Sequence, residues 1–225
     1  MEKVYTGKTK DVYKLADGNL MFKFKDDATG TDGVFDPGSN TVGLVIEGLG
    51  LDSARLSEYF FNLINGRGFP THYISADIGN AAMTVKPAAK FGKGLEFICR
   101  YRAVGSFYAR YSDYVAKGDE LNGFVEVSIK NDEKKDPIIS EEALLLFGLM
   151  DKAQYERCVA LTGEIAEAVR QDLQAKGMEL YDIKFEFGHI NGEVTLIDEI
   201  SAGNMRAYKD HVWLQPDELI KEVLG

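Results

Sequence analysis

In Asp182-Ile183-Lys184-Phe185-Glu186-Phe187, apolar and charged residues alternate without a break. A period of two is the pleat of a strand. Ile183, Phe185 and Phe187 therefore face a core, and Asp182, Lys184 and Glu186 share the opposite face. A second apolar run, Val194 to Ile200, follows Asn191-Gly192, a pair suited to the left-handed backbone of a hairpin turn. Register decides where the acids Asp198-Glu199 of the return strand go. A two-residue turn sets Glu186 opposite Ile197 and turns Asp198 to the core face. A three-residue loop, Ile190 to Gly192, pairs His189 with Glu193 and brings Asp198 opposite Lys184, diagonal to Asp182 and Glu186. Diagonal neighbours lie roughly 7–8 Å apart at Cα, close enough for two carboxylates to share a divalent ion that also carries nucleotide phosphates. The same alternation also fits a solvated acidic face with a Lys184 ion pair.

The chain around this hairpin has 225 residues, enough for one large domain or two small ones. With 45% hydrophobic and 28% charged residues it can bury a core, which excludes a disordered or collagen-like chain. Its 26 basic and 36 acidic residues give a net charge of −10, which argues against a general nucleic-acid binder. No apolar run approaches a membrane span, and Met1 to Tyr5 lacks the core of a signal peptide, so a cytoplasmic protein with no membrane partner is expected. Cys99 and Cys158 make no metal spacing and read as reduced core thiols.

The remaining pattern is β-rich first and mixed later. Strands are expected around Tyr5, Val12-Tyr13 and Phe22 to Lys25, and Asp26 to Asn40, rich in Gly and Asp, reads as a loop. Ser53 to Ile64 reads as a helix, His72 to Lys86 as two short strands around Gly79-Asn80, and Leu95 to Arg100 as another strand. The clearest helix is Asp151 to Lys176, with a stripe from Tyr155 to Leu173 and Gly177 as its stop. The order implies a β-rich lobe over residues 1–90 packed on an α+β domain over 91–225.

Other groups could meet anions. Gly7-Lys8-Thr9-Lys10 is not a P-loop, but a glycine turn with two lysines can bring amides and an ammonium to a triphosphate; it equally fits an exposed, solubilising hairpin. Arg100 ending a strand, with Ser106 at a helix start, can form an anion site, and Arg206 can add a second guanidinium. His72, His189 and His211 fit no metal spacing and read as surface or turn histidines.

Together these segments resemble one family. Gly7 to Lys10 with Val12-Tyr13, Phe24 to Thr29, Gly68-Phe69-Pro70-Thr71-His72, Arg100 to Ser106, Lys130-Asn131-Asp132 with Asp136-Pro137, Asp182 to Gly188 and Asp198-Glu199-Ile200-Ser201 are similar in order and spacing to the SAICAR synthetase family, over roughly residues 3–206. The resemblance implies a mixed α+β fold, its N-terminal β-rich lobe binding ATP. It also implies an ATP-dependent ligase of purine biosynthesis that joins L-aspartate to the carboxylate of carboxyaminoimidazole ribonucleotide, uses Mg²⁺ and forms homodimers. By matched position, Lys8, Lys10 and Lys86 would serve ATP, and Glu186 and Asp198 would hold magnesium, Glu186 also serving the nucleotide. Lys184 and Asp182 would be catalytic. Arg100, Ser106 and Arg206 would bind the ribonucleotide and its phosphate, with Asp32, Lys130 and Asp132 on the substrate side and Asp136 in the same polar loop. The chain departs from the family's pattern at Tyr101-Arg102, at Ala202-Gly203-Asn204 and in a short C-terminal segment from Gln215. These changes sit on the substrate rim, so a related ligase for another acid and amine, or a nucleotide-binding protein without turnover, are the competing expectations.

Overall fold

The computed structural model describes residues Met1–Gly225. The first part runs β1 (Glu2–Thr6), β2 (Lys10–Lys14), β3 (Leu20–Phe24), β4 (Asp27–Thr31), β5 (Val34–Phe35), β6 (Val42–Val45), α1 (Leu49–Gly66), β7 (Tyr73–Asp77) and β8 (Ala82–Val85). It continues with β9 (Ala89–Lys90), β10 (Leu95–Arg102), α2 (Gly105–Tyr111), β11 (Glu120–Ile129), α3 (Glu141–Leu146) and α4 (Lys152–Ala175). The end is β12 (Glu179–Ile190), β13 (Glu193–Ile197), β14 (Met205–Lys209), β15 (Val212–Trp213) and α5 (Pro216–Leu224). The fold is mixed α+β. A five-stranded antiparallel sheet has the order β1-β2-β3-β8-β7, and a larger sheet has the order β11-β10-β12-β14-β15, with β13 and β9 also pairing to β12.

The alternation at 182–187 forms the middle of β12, the central strand of the larger sheet. Ile183, Phe185 and Phe187 are buried beneath α4, which packs on β12 and β10. Helix α4 starts where Asp151 and Gln154 close a capping box, each side chain accepting the other's backbone N–H at 2.8 Å. It stops at Gly177, φ +77, where the Met178 N–H closes back on the Leu173 carbonyl.

The hairpin takes the two-residue turn: Ile190 pairs with Glu193, and Glu186 with Ile197. Asn191 and Gly192 both have positive φ, as that turn demands. Continued regularly, the strand would aim Asp198 into the core. Instead β13 ends at Ile197 and Asp198 takes φ +73, which returns its carboxylate to the charged side.

Three expectations need correction. Asp26 to Asn40 is not all loop: β4 pairs with β5 and β6. Its glycines permit strands to approach rather than break them, since a Cβ on Gly30 would lie 2.1 Å from the Val34 carbonyl oxygen. Helix α1 begins four residues before Ser53, its Gly50 N–H accepted by the distant Asp26 Oδ1 at 2.9 Å. His72 is no surface residue; it is 2% exposed, between Phe22 and Phe61.

One cluster of 41 buried apolar residues runs from Val12 in β2 to Val223 in α5. Helix α1 joins the halves: it packs on β3, β7 and β8 and also meets α4 and α5. Cys99 and Cys158 are buried and unpaired within it. No helix is long and apolar enough to cross a membrane.

Candidate functional site

The polar face of β12 floors a cleft of about 780 Å³, roofed by the β1–β2 turn and by residues 37–41. Two charged clusters meet on that floor.

The first is built across three neighbouring strands. Arg100 on β10 is the register partner of Asp182 on β12, and Asp182 is the partner of Arg206 on β14. Both guanidiniums donate to Asp182, at 2.9 and 2.8 Å. Arg100 also donates to Glu126 Oε1 at 2.7 Å and to Ser106 Oγ at 3.1 Å. Arg110 of α2 donates to both oxygens of Glu126 at 2.7 Å. Arg206 reaches Asp36 Oδ1 at 2.6 Å. Gly105, φ +53, lies flat on the Arg206 guanidinium; a Cβ there would sit 2.7 Å from Cζ. Arg100, Arg110, Arg206 and Ser106 all line the cleft. Three guanidiniums held by buried acids form a preorganised seat for a phosphate or carboxylate.

The second cluster lies further along the same face of β12. Lys10 bridges Asp198 at 2.6 Å and also binds Glu199. Lys130 binds Glu186, and Lys90 lies 3.9 Å from the same carboxylate. Lys184 donates to Glu96 Oε1 at 2.8 Å. Lys8 reaches Asp132 at 2.8 Å, while Asp136 accepts the Asn131 N–H at 2.6 Å and shapes the loop beside it.

The electrostatics follow from burial against pairing. Burial would raise Asp198, but Lys10 and Lys130 outweigh it and hold its carboxyl well below the usual range. Burial and the Asp198 charge push Glu199 up to about 7 and also raise Glu186. Burial opposes the charge on Lys10 and Lys130, yet the acids around them raise both. Burial takes His72 down to about 4, so its ring is neutral near pH 7. Its Nε2 lies 2.8 Å from the Asp198 carbonyl oxygen.

No group of three or more acidic, histidine or cysteine residues is arranged to hold a metal by itself. Glu186 and Asp198 are two hard-oxygen donors whose charges repel each other, with Lys130 acting on both. That set fits a magnesium ion whose remaining ligands are phosphate oxygens and water. It does not fit zinc or another soft metal.

Eleven expected positions, Lys8, Lys10, Arg100, Ser106, Lys130, Asp132, Asp136, Asp182, Lys184, Asp198 and Arg206, line the one cleft, while Glu186 is buried, outside that lining, and bound by Lys130. Two do not join them. Lys86 is exposed and lines a separate depression with Phe69 and Glu193. Asp32 sits at the exposed tip of the β4–β5 turn, φ +52, because the turn needs a left-handed residue there; Asp36, four residues on, meets Arg206 instead. Glu126, Arg110, Glu96 and Asp36 join the site without belonging to any of the motifs above. Glu126 carried a usable signal, since Phe124, Glu126 and Ser128 alternate with Val125, Val127 and Ile129.

The fold thus sets an arginine-lined anion seat and a lysine–carboxylate cluster side by side in one cleft. The SAICAR synthetase family model matches residues 3–223, and the chain belongs to that family. A phosphoribosylaminoimidazole-succinocarboxamide synthase of Clostridium tetani is 51% identical over the whole of both chains. One of Pyrobaculum calidifontis is 35% identical over 92% of this chain and 81% of its own. A solved SAICAR synthetase (Type-2) in complex with ADP superposes with a TM-score of 0.86 at 29% identity, covering 98% of this chain and 97% of the other.

Proposed function

We propose that this chain is an ATP-dependent ligase that joins L-aspartate to the carboxylate of carboxyaminoimidazole ribonucleotide, as a phosphoribosylaminoimidazole-succinocarboxamide synthase of de novo purine biosynthesis. The observation that carries the reading is the spacing along β12. Asp182, Lys184 and Glu186 stand on one face, so the arginine seat and the carboxylate pair are four residues, about 13 Å, apart. A phosphorylated ribonucleotide anchored at one end then presents its carboxylate toward the terminal phosphate of a nucleotide held at the other.

A carboxylate is a poor electrophile, so it first attacks the γ-phosphorus of ATP. The bond to the β-phosphate oxygen breaks, leaving ADP and an acyl phosphate. The amine of aspartate then attacks the acyl carbon, inorganic phosphate leaves, and the nitrogen releases a proton. Arg100, Arg206 and Ser106 bind the ribonucleotide phosphate, with Asp182 fixing the two guanidiniums. Lys8, Lys10 and Lys130 offset charge on the nucleotide phosphates. Lys184, tied to Glu96, orients the reacting carboxylate. Glu186 and Asp198 would hold Mg²⁺, which would supply positive charge near the nucleotide phosphates. A homodimer is the expected assembly, measurable by light scattering.

The deciding experiment is ADP release from purified protein with Mg·ATP, L-aspartate and carboxyaminoimidazole ribonucleotide, each omitted in turn. Release that needs all three, with one amide per ADP, is the expected result. Nucleotide binding without coupled release would refute the substrate assignment and direct a screen of other acids and amines.

A further inference from the structure

Asp198 faces the cleft because its backbone is left-handed, φ +73. A residue other than glycine is strained there and persists only where its surroundings over-determine it. His72 supplies that hold. Its main chain pins the end of β13: the His72 N–H donates to the Leu196 carbonyl at 3.0 Å, and the Leu196 N–H donates to Pro70 at 3.0 Å. Two residues further on, His72 Nε2 lies 2.8 Å from the Asp198 carbonyl oxygen. A carbonyl only accepts, so the ring donates and carries its proton on Nε2. The imidazole has no room to turn away, since it is 2% exposed with the Phe22 and Phe61 ring centroids each 5.6 Å from its own.

We propose that His72 is a positioning residue for the metal–nucleotide site, its Nε2–H fixing the Asp198 peptide so that the carboxylate points toward Lys10 and Glu186. The inference rests on the reading of Asp198 as a magnesium ligand. His72 touches no substrate; it links the packing of the N-terminal sheet to metal affinity in the larger one.

The test is Mn²⁺ binding to the protein–ADP complex, followed by electron paramagnetic resonance, with ribonucleotide KM measured alongside. His72→Leu keeps the bulk and removes the donor. Its Mn²⁺ affinity is expected to fall about 10-fold, while the ribonucleotide KM stays within about two-fold. His72→Gln, whose amide nitrogen reaches about as far as Nε2, retains most of the affinity. His72→Asn is too short to reach and is expected to behave as the leucine variant does, which keeps the test alive if the leucine variant does not fold. A folded His72→Leu or His72→Asn protein that binds Mn²⁺ like the native chain overturns the proposal, as does a His72→Gln protein weakened as much as the others. Asp198→Asn separates the two levels. Native Mn²⁺ binding by that variant overturns the magnesium assignment itself, whereas loss there with intact binding in His72→Leu overturns only the role of His72.

Discussion

Arg100 and Arg206 donate to the same oxygen of Asp182, at 2.9 and 2.8 Å, from strands on either side of it. One buried carboxylate thus sets the distance between two like charges. Asp182→Asn keeps the shape and removes the charge, leaving two guanidiniums facing each other. We expect a loss of about 3 kcal/mol in stability and a KM for the ribonucleotide that rises far more than the KM for ATP. Equal rises in both would place Asp182 outside the substrate seat.

Gly105 lets a backbone lie against Arg206, in a left-handed conformation besides. Gly105→Ala is expected to push the guanidinium off Asp182 and raise the ribonucleotide KM by one to two orders of magnitude, on the order of 1.5–3 kcal/mol of charged hydrogen bonding. The magnesium requirement is expected to stay unchanged. A titration of both ligands against the variant checks the split.

Glu186→Gln removes one of two metal-competent carboxylates and the charge that Lys130 binds directly. The fold is expected to survive, and half-maximal turnover to need about 10-fold more Mg²⁺. Turnover unaltered at low magnesium would remove Glu186 from the metal site.

Burial pushes the Cys99 and Cys158 thiols up to about 11 and about 12, from 9.0 in the open chain. The native state therefore holds protons that the unfolded state releases above pH 9. Their contribution to stability is complete below pH 9 and declines as pH climbs toward 11. Native protein at pH 8 is expected to resist a thiol reagent that labels both residues in denaturant; rapid native labelling would contradict the packing.

Asp151→Ala opens the capping box of α4, whose buried stripe supports β10 and β12. A stability loss of about 1 kcal/mol is expected in urea unfolding, with kinetic constants little altered because the cap lies outside the cleft.

The legible parts of the sequence were those written in local periods. The β12 alternation, the α4 stripe with its stop, and the Asn191-Gly192 turn all carry their instructions within a few residues. What stayed hidden depends on distant partners. Glycines in β4 and β6 resemble a loop until the strand that presses on them is known. His72 gives no sign of burial because its slot is made by Phe22 and Phe61. Asp198 could be placed on neither face by counting, since φ +73 at one residue reverses what strand parity dictates. Asp36 rather than Asp32 meets Arg206 because the left-handed tip of a turn takes one acid and the returning chain delivers the other.

The apolar interior that passes unbroken from Val12 to Val223 has a consequence for how the molecule comes apart. With α1 shared between the sheets, neither wall of the cleft owns enough interior to stand alone. Loss of that shared interior is then expected to take down both walls of the cleft together. A fragment ending near residue 90 would carry Lys8 and Lys10 without a scaffold, and would aggregate through the uncovered flank of α1 rather than bind ATP.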